Sequence, residues 1–340
     1  MLRRGERRAA LAAALSGCDR LVLLGDALEL RHGPIRQALA AAEPVLRELA
    51  GALGRGAEVI VVPGNHDHRL LRGWLERRAA EPSPSPLGLQ TAVDWRDHEP
   101  LAELASWLEP AEVRAAYPGV WLREDVYASH GHYGDLHTTV PLLERLGAAV
   151  MMRVGRGLDG GPSRAEDYEA VLGPMYAWID AVAQSGGVRG RGGGELQMRA
   201  WRSIQRSGTQ PGIRGAAAAV AFPAAVAVLN RAGLGPLGAD VSGPELRSAA
   251  LRAFSEVIDR LGVRADHVIS GHTHRAGPLP GDARSEWHAG QGSALLNAGS
   301  WVYEPEFLGD SPGSSPYRPG FCAVVEDDEQ PQLVNVLDPA

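Results

Sequence analysis

The sequence predicts an α/β protein built around a largely parallel sheet. Short apolar runs alternate with longer stretches of helical periodicity, which is the pattern of strand-helix-strand crossover units. Polar residues directly follow the apolar runs, so the carboxyl ends of the predicted strands share one edge of the sheet. With 340 residues, 44% of them hydrophobic, the chain is long enough to bury such a core.

The amino-terminal segment predicts a helix followed by a buried strand. Leu11 and Leu15 share one helical face, and Gly17 stands where a left-handed helix end is expected. Residues 21–24 form an uninterrupted apolar run that ends just before Asp26. Such a run is typical of a strand buried on both faces.

A long helix and two further strands follow. Apolar residues recur at helical spacing over 35–53, and Pro44 predicts a kink or a restart within that helix. Residues 58–62 predict the second strand, which ends in the sequence PGNHD. A third strand is predicted over 121–129, with His130 directly after it.

The middle of the chain interrupts this pattern. Helical stretches broken by glycine run over 140–250 without a convincing strand, and they predict a helical insertion. The predicted organisation is therefore a core in two parts, 1–139 and 251–340, separated by the insertion. Strands resume in the second part, at 267–270, 294–297, 321–325 and 333–337, the last two as an antiparallel pair.

Four of the predicted strand ends carry side chains that can bind a metal ion. Asp26 follows the first strand, Asn65 the second and His130 the third, while His272 and His274 follow the fourth. Imidazole nitrogens together with carboxylate and amide oxygens suit Mn, Fe or Zn better than Mg or Ca. The sequence therefore predicts a divalent-metal site at the shared strand edge.

The ordered motifs GD, GNHD, HG and GHTH resemble those of the calcineurin-like metallophosphoesterase superfamily, whose pattern is DxH, GD, GNHD/E, HG and GHxH. The resemblance covers 21–137 and 266–301. It implies a four-layer αββα sandwich with a helical cap insertion and a cofactor of two divalent metal ions. It also implies an enzyme that hydrolyses a phosphomonoester, phosphodiester or pyrophosphate bond with a hydroxide that bridges the metals.

The resemblance assigns a role to each metal-binding residue. Asp26 would bridge the two ions, Asn65, His130 and His272 would complete one site, and His274 would belong to the other. The DxH motif, which supplies the remaining ligands of that other site, is absent together with the first strand. Either the start of the chain is assigned too far downstream, or the protein is a catalytically impaired scaffold or binding protein that lacks this site.

The resemblance also implies residues that act on the substrate. His66 would be catalytic, either stabilising the developing charge or protonating the leaving oxygen. Asp67 would orient the His66 ring, or else cap a helix. Arg69, His132 and Asp135 are candidate substrate contacts, the alternatives being a helix-surface ion pair for Arg69 and a solvated rim for the other two.

Composition limits the partners of the protein. A net charge of −7, with arginine as the basic residue throughout, argues against non-specific binding of nucleic acid. Cys18 and Cys322 predict reduced thiols and not a disulfide framework. No secretory signal begins the sequence, which favours a cytoplasmic location.

The insertion bears on the substrate class. Its uncharged stretch 216–229 is too short to span a bilayer and is either a buried cap helix or a groove for acyl chains. The groove would fit a partial similarity to the UDP-2,3-diacylglucosamine pyrophosphatase branch of the superfamily. That similarity implies a lipid-linked pyrophosphate as substrate, with peripheral membrane contact through the cap. The other expectation is a small-molecule phosphoester.

Overall fold

The computed structural model describes residues 5–31, 33–140, 143–154, 160–184, 223–240, 242–303, 305–308 and 311–338. Within them the chain is mixed α/β, as predicted, with helices around a curled sheet in which parallel strand pairs predominate. The glycine-rich part of the insertion and residues 216–222 of its apolar stretch lie outside the described ranges.

The strands are β1 (Arg20–Leu24), β2 (Glu58–Val62), β3 (Gln90–Ala92), β4 (Glu112–Arg123), β5 (Val126–Ser129), β6 (His267–Ser270), β7 (Ala294–Asn297), β8 (Phe321–Val324) and β9 (Gln332–Asn335). The helices are α1 (Gly5–Leu15), α2 (Ile35–Leu53), α3 (Arg72–Ala80), α4 (Pro100–Trp107), α5 (Leu143–Val154), α6 (Ala165–Gln184), α7 (Gly243–Leu261) and α8 (Pro305–Leu308). A further helix covers 223–231, and short 3-10 turns cover His68–Leu71, His132–Leu136, Arg284–Glu286 and Pro312–Ser314.

The long strand β4 joins two parallel halves of the sheet. Its beginning pairs in parallel with β2, which pairs in parallel with β1, whereas its end pairs antiparallel with β5. Strands β5, β6 and β7 continue in parallel. The prediction of one strand over 121–129 is wrong, because Glu124 and Asp125 form the turn of a β4-β5 hairpin there.

Side chains of the buried strands alternate between two apolar clusters. On β2, Val59 and Val61 pack with the helices of the amino-terminal part, while Ile60 and Val62 face a second cluster. That second cluster lies between the two halves of the sheet, since it also contains residues of β5, β6 and β7 such as Ile269. The alternation follows from the two-residue period of a strand.

Helix α7 covers the outer face of the second half of the sheet. Its Phe254 and Ile258 pack with Tyr127, Val268 and other residues of that face. Ser242 caps the start of the helix through its hydroxyl, and the left-handed Gly262 ends it. The boundary predicted between residues 250 and 251 falls inside this continuous helix.

Two other features of the helices bear on the predictions. Helix α2 is continuous through Pro44, so of the two predicted alternatives, a kink or a restart, the restart is excluded. Burial of Val45, Leu46 and Leu49 in the next turn offsets the hydrogen bond that the proline removes. None of the helices in the described ranges is long and apolar enough to cross a membrane.

Candidate metal centre

Tight turns after β1 and β2 bring the first two predicted ligands together. Gly25 and Asp26 both have positive φ, 78° and 52°. A Cβ atom on Gly25 would collide with the His130 ring, and one on Gly64 would lie 2.5 Å from Asp26 Oδ1. Glycine at these positions therefore permits the close approach of three strand ends.

Asp26, Asn65 and His130 form a compact set of potential metal ligands. Asp26 Oδ2 lies 3.1 Å from His130 Nε2, and the Asn65 amide oxygen lies 3.3 Å from each of these atoms. Neighbouring ligands of one ion, with bonds of about 2.0–2.2 Å, stand about this far apart. His272 completes the group, since its ligand atom lies within 4.8 Å of those of Asp26 and His130. We call Asp26, His130 and His272 the metal cluster, and it could hold a metal ion.

The orientation of the Asn65 amide fits a cation. Its oxygen lies 3.3 Å from Asp26 Oδ2, which is an acceptor, and 3.3 Å from His130 Nε2. Turning the amide over would pair its NH2 group with the Asp26 carboxylate and its oxygen with Arg31, 3.1 Å away. A bound cation stabilises the first orientation, whereas the second satisfies the hydrogen bonds of the metal-free site.

Backbone contacts fix which nitrogen of His130 faces the cluster. Nδ1 lies 3.0 Å from the Leu24 carbonyl, to which it donates, so Nε2 is the nitrogen directed at Asp26 and Asn65. Burial alone would lower the pKa of His130, but the Asp26 carboxylate outweighs burial and raises the pKa to about 9. Burial alone would raise the pKa of Asp26, but the surrounding histidine rings outweigh burial and hold this pKa well below its usual range.

Asp67 organises the two turns and does not orient His66, which corrects the prediction. It is fully buried, and its carboxylate accepts backbone N–H groups of Gly64 at 2.7 Å, Asp26 at 3.2 Å and Leu28 at 3.3 Å. It precedes a 3-10 turn without capping it through its side chain. Burial, followed by the charge of Asp26, raises the pKa of Asp67 to about 6.

Glu29 takes the place beside His66 that was predicted for Asp67. The Glu29 carboxylate lies 2.6 Å from His66 Nδ1, and the His66 backbone N–H donates to Asp26 Oδ1 at 2.8 Å. Burial alone would lower the pKa of His66, but the hydrogen bond that its ring donates to Glu29 and the charge of Asp26 outweigh burial and raise the pKa. His66 is therefore next to the cluster with a partner that favours its protonated form.

The two histidines of GHTH differ in position. His272 joins the metal cluster, and its Nε2 lies 2.8 Å from Asp135 Oδ1. His274 is not part of the cluster, and the described residues form no second group of three such metal-binding side chains around it. Both residues have positive φ, 65° and 60°, which turns the backbone between them away from the extended form that would align their side chains.

The three residues predicted to contact substrate are engaged inside the protein. Arg69 forms an ion pair with Asp180 on α6. His132 is 2% exposed and Asp135 is 6% exposed, so neither belongs to a solvated rim. Both lie on the buried 3-10 turn that follows His130. In this structure the partners of Arg69 and Asp135 are therefore side chains of the protein itself, and substrate contact stays a prediction.

A second group of polar side chains lies under α6, and the sequence analysis missed it. Glu169 accepts from the Tyr117 hydroxyl at 2.7 Å and lies 2.9 Å from His68 Nε2, while the Tyr117 hydroxyl lies 3.2 Å from His132 Nε2. We call these four residues the buried network. The spacing of Glu169 with Ala165, Tyr168, Leu172 and Tyr176 puts an acid on the apolar face of α6, which is the signal that could have revealed it.

Together with Asn65, the metal cluster offers anionic, amide and imidazole ligands at the ends of strands from both halves of the sheet. A cation held there would be positioned by the ends of β1, β2, β5 and β6 together. Comparison with known proteins adds nothing to this geometry: no family model matches the chain, and neither a curated protein nor a solved structure does.

Proposed function

We propose that the protein is a metal-dependent phosphoric ester hydrolase whose cation is bound by Asp26, Asn65, His130 and His272. The observation that carries the proposal is the convergence of Asp26 Oδ2, the Asn65 amide oxygen and His130 Nε2 to 3.1–3.3 Å of one another. Manganese, iron or zinc suits this mixture of oxygen and nitrogen ligands. A second ion, expected from the motif resemblance, would need ligands beyond those of the metal cluster.

The divalent ion supplies Lewis-acid polarisation of a phosphoryl group and lowers the pKa of water when it is bound. His66 is the proposed proton donor to the leaving oxygen. Its backbone N–H donates to Asp26 Oδ1, and its ring pairs with the Glu29 carboxylate, which raises the pKa of the imidazole and favours the protonated form that a proton donor needs. The Asp67 carboxylate accepts hydrogen bonds from the backbone N–H groups of Asp26 and Gly64, and it thereby holds together the turns that carry Asp26 and His66.

The proposed fold is the four-layer αββα sandwich. The apolar cluster between the two halves of the sheet, with helices packed on the outer face of each half, supports it. Helices α5 and α6 belong to the proposed cap. In its described part, the apolar stretch has Val226 buried and Val228 61% exposed. We propose a phosphomonoester or phosphodiester as substrate, with a lipid-linked pyrophosphate as the variant that an acyl groove would serve.

Hydrolysis of chromogenic phosphate monoesters and diesters by the full chain, with and without Mn²⁺, tests the proposal. Asp26→Ala should abolish the Mn²⁺-dependent rate, and His66→Gln should lower it by about 10²-fold or more. Exposed Asp97 and His98 provide the matched controls, since Asp97→Ala and His98→Gln leave the cluster intact. Activity that survives Asp26→Ala would remove the assignment.

A scaffold or binding protein is the second candidate. The observation that favours it is that the described residues form one metal cluster, which His274 does not join. Such a protein would bind Mn²⁺ through Asp26 and His130 and would hydrolyse none of the phosphoesters. Calorimetric titration with Mn²⁺ beside the hydrolysis assay separates the two candidates.

A further inference from the structure

Asp135 stands where a carboxylate can control the orientation of a metal ligand. Its Oδ1 lies 2.8 Å from His272 Nε2, and the carboxylate is almost fully buried. A carboxylate accepts hydrogen bonds, so it holds His272 in the tautomer that carries the proton on Nε2. That tautomer leaves the lone pair on Nδ1, the nitrogen available to a cation.

The position of Asp135 is fixed by the same turn that follows His130. Gly131 adopts a left-handed conformation, and all five residues of His132–Leu136 are buried behind it. The turn is closed by hydrogen bonds from Gly134 N to the Gly131 carbonyl at 3.0 Å and from Thr138 N to the Gly134 carbonyl at 3.0 Å. One rigid segment therefore carries His130 and the partner of His272.

Other roles for Asp135 fit the geometry less well. Its carboxylate does not join the atoms of the metal cluster, so it is not a direct ligand of the same ion. Burial and negative charge also make it a poor contact for an anionic phosphate. Its second oxygen, Oδ2, is buried and has no hydrogen-bond partner among the described residues, so its retention in the interior costs stability.

We propose that Asp135 is a positioning residue, which fixes the tautomer and the ring orientation of His272 so that Nδ1 faces the cation. The inference rests on the proposed metal site and deepens it. It predicts that removing the Asp135 carboxylate weakens metal binding although Asp26, Asn65 and His130 remain unchanged. The expected loss is about 10- to 100-fold, as for other hydrogen-bond partners of metal-bound histidines.

Titration of the full chain with Mn²⁺ alone tests the inference. Asp135→Ala should weaken Mn²⁺ binding by about 10- to 100-fold, and Asp135→Asn, which keeps an acceptor oxygen, should bind more tightly than the alanine variant. Glu169→Gln is the matched control, since Glu169 is another buried carboxylate paired with a histidine, His68, at 2.9 Å. It should bind Mn²⁺ within twofold of the wild type.

The ring nitrogen chemical shifts of His272 give a second readout that a merely structural role would not move. In the metal-free wild type they should show the proton on Nε2, and Asp135→Ala should shift this tautomer. A proton on Nδ1 in the wild type would overturn the inference even if the alanine variant does not fold.

The outcomes also separate the inference from the proposed function. Unchanged Mn²⁺ affinity in Asp135→Ala, with binding abolished in His272→Ala, overturns the positioning role and leaves the metal site standing. Unchanged affinity in both His272→Ala and Asp26→Ala overturns the metal site and the positioning role with it.

Discussion

His130 and His132 are separated by a single glycine and are both buried, yet their surroundings shift their pKa values in opposite directions. His130 faces the Asp26 carboxylate, which raises its pKa to about 9. His132 belongs to the buried network, where burial and the nearby His130 and His272 rings lower its pKa well below the usual value. Both rings are buried, so depth of burial does not explain the difference. The carboxylate that faces His130 favours its protonated form, whereas the surroundings of His132 favour the neutral ring.

The largest expected effect is a difference in Mn²⁺ affinity between variants of these two histidines. His130→Ala removes a ligand nitrogen and should weaken Mn²⁺ binding by more than about 100-fold. His132→Ala removes a neutral ring that hydrogen-bonds Tyr117, so it should lower the free energy of unfolding while keeping Mn²⁺ affinity within a few-fold. Calorimetric titration of both variants measures the contrast. Equal losses of affinity would mean that the two sites are not functionally distinct.

Glu169 supplies the charge of the buried network, and its loss should be the largest effect on stability. Burial alone would raise the pKa of Glu169, but His68 and the Tyr117 hydroxyl outweigh it and lower the pKa. Glu169→Ala leaves His68 and Tyr117 without their partner and should cost about 3–5 kcal/mol of unfolding free energy. Chemical denaturation at neutral pH measures this loss, and a cost below about 1 kcal/mol would contradict the assignment.

The pH dependence of the Glu169 contribution follows from the direction of its shift. Because the pKa of Glu169 in the folded state lies below the ordinary value of 4.5, its ionised carboxylate stabilises the folded protein above pH 4.5. This stabilisation is lost as the pH falls through the folded-state pKa. The difference in stability between the wild type and Glu169→Gln should therefore narrow below pH 4.5. A constant difference through this range would show that the carboxylate charge does not contribute.

The sequence predicted the metal cluster better than the buried network because the two depend on different patterns. The cluster residues Asp26, His130 and His272, and Asn65 beside them, stand within three residues of the end of an apolar run, and parallel strands bring such positions to one edge whatever the connections between them. Glu169 meets His68 from a helix 101 residues further along the chain. Local periodicity places Glu169 on an apolar face but does not say which histidine that face covers.

The same limit explains why the sequence did not identify the partners of residues near the site. For Arg69 the sequence left open substrate contact or a helix-surface ion pair, and its partner Asp180 also comes from α6. Asp67 was assigned to His66 from the motif resemblance, whereas Glu29 approaches the ring from the turn after β1. In each case the competing partner belongs to another segment, and its approach depends on the packing of the complete core.

His137 lies outside the buried network, and its surroundings also disfavour a protonated histidine. Its Nε2 lies 2.7 Å from the hydroxyl of Tyr168, which stacks on Tyr133. Burial, helped by the charge of Arg260, lowers the pKa of His137 from 6.5 to about 4. Between these values the unfolded chain takes up a proton that the folded protein resists, so the folded state loses stability as the pH falls.

The expected size of the His137 effect is up to about 3 kcal/mol between pH 6.5 and about 4, at about 1.4 kcal/mol for each unit. His137→Gln should flatten the pH dependence of the unfolding free energy in this window, because the amide keeps a hydrogen bond to Tyr168 without titrating. His98→Gln, at an exposed position, is the control. Identical slopes for the wild type and His137→Gln would contradict the prediction.

The smallest expected effect concerns the hydroxyl that connects Glu169 to His132. Tyr117→Phe removes a buried donor to the Glu169 carboxylate while the ring still fills its place, so it should cost about 1–2 kcal/mol of unfolding free energy. If the hydroxyl acts mainly through Glu169, the same change in a Glu169→Gln background should cost less, and a double-mutant cycle measures that coupling. Equal costs in both backgrounds would mean that Tyr117 and Glu169 contribute independently. Tyr127→Phe provides the matched control, since the Tyr127 hydroxyl donates to the Leu89 carbonyl outside the network and its cost should not depend on Glu169.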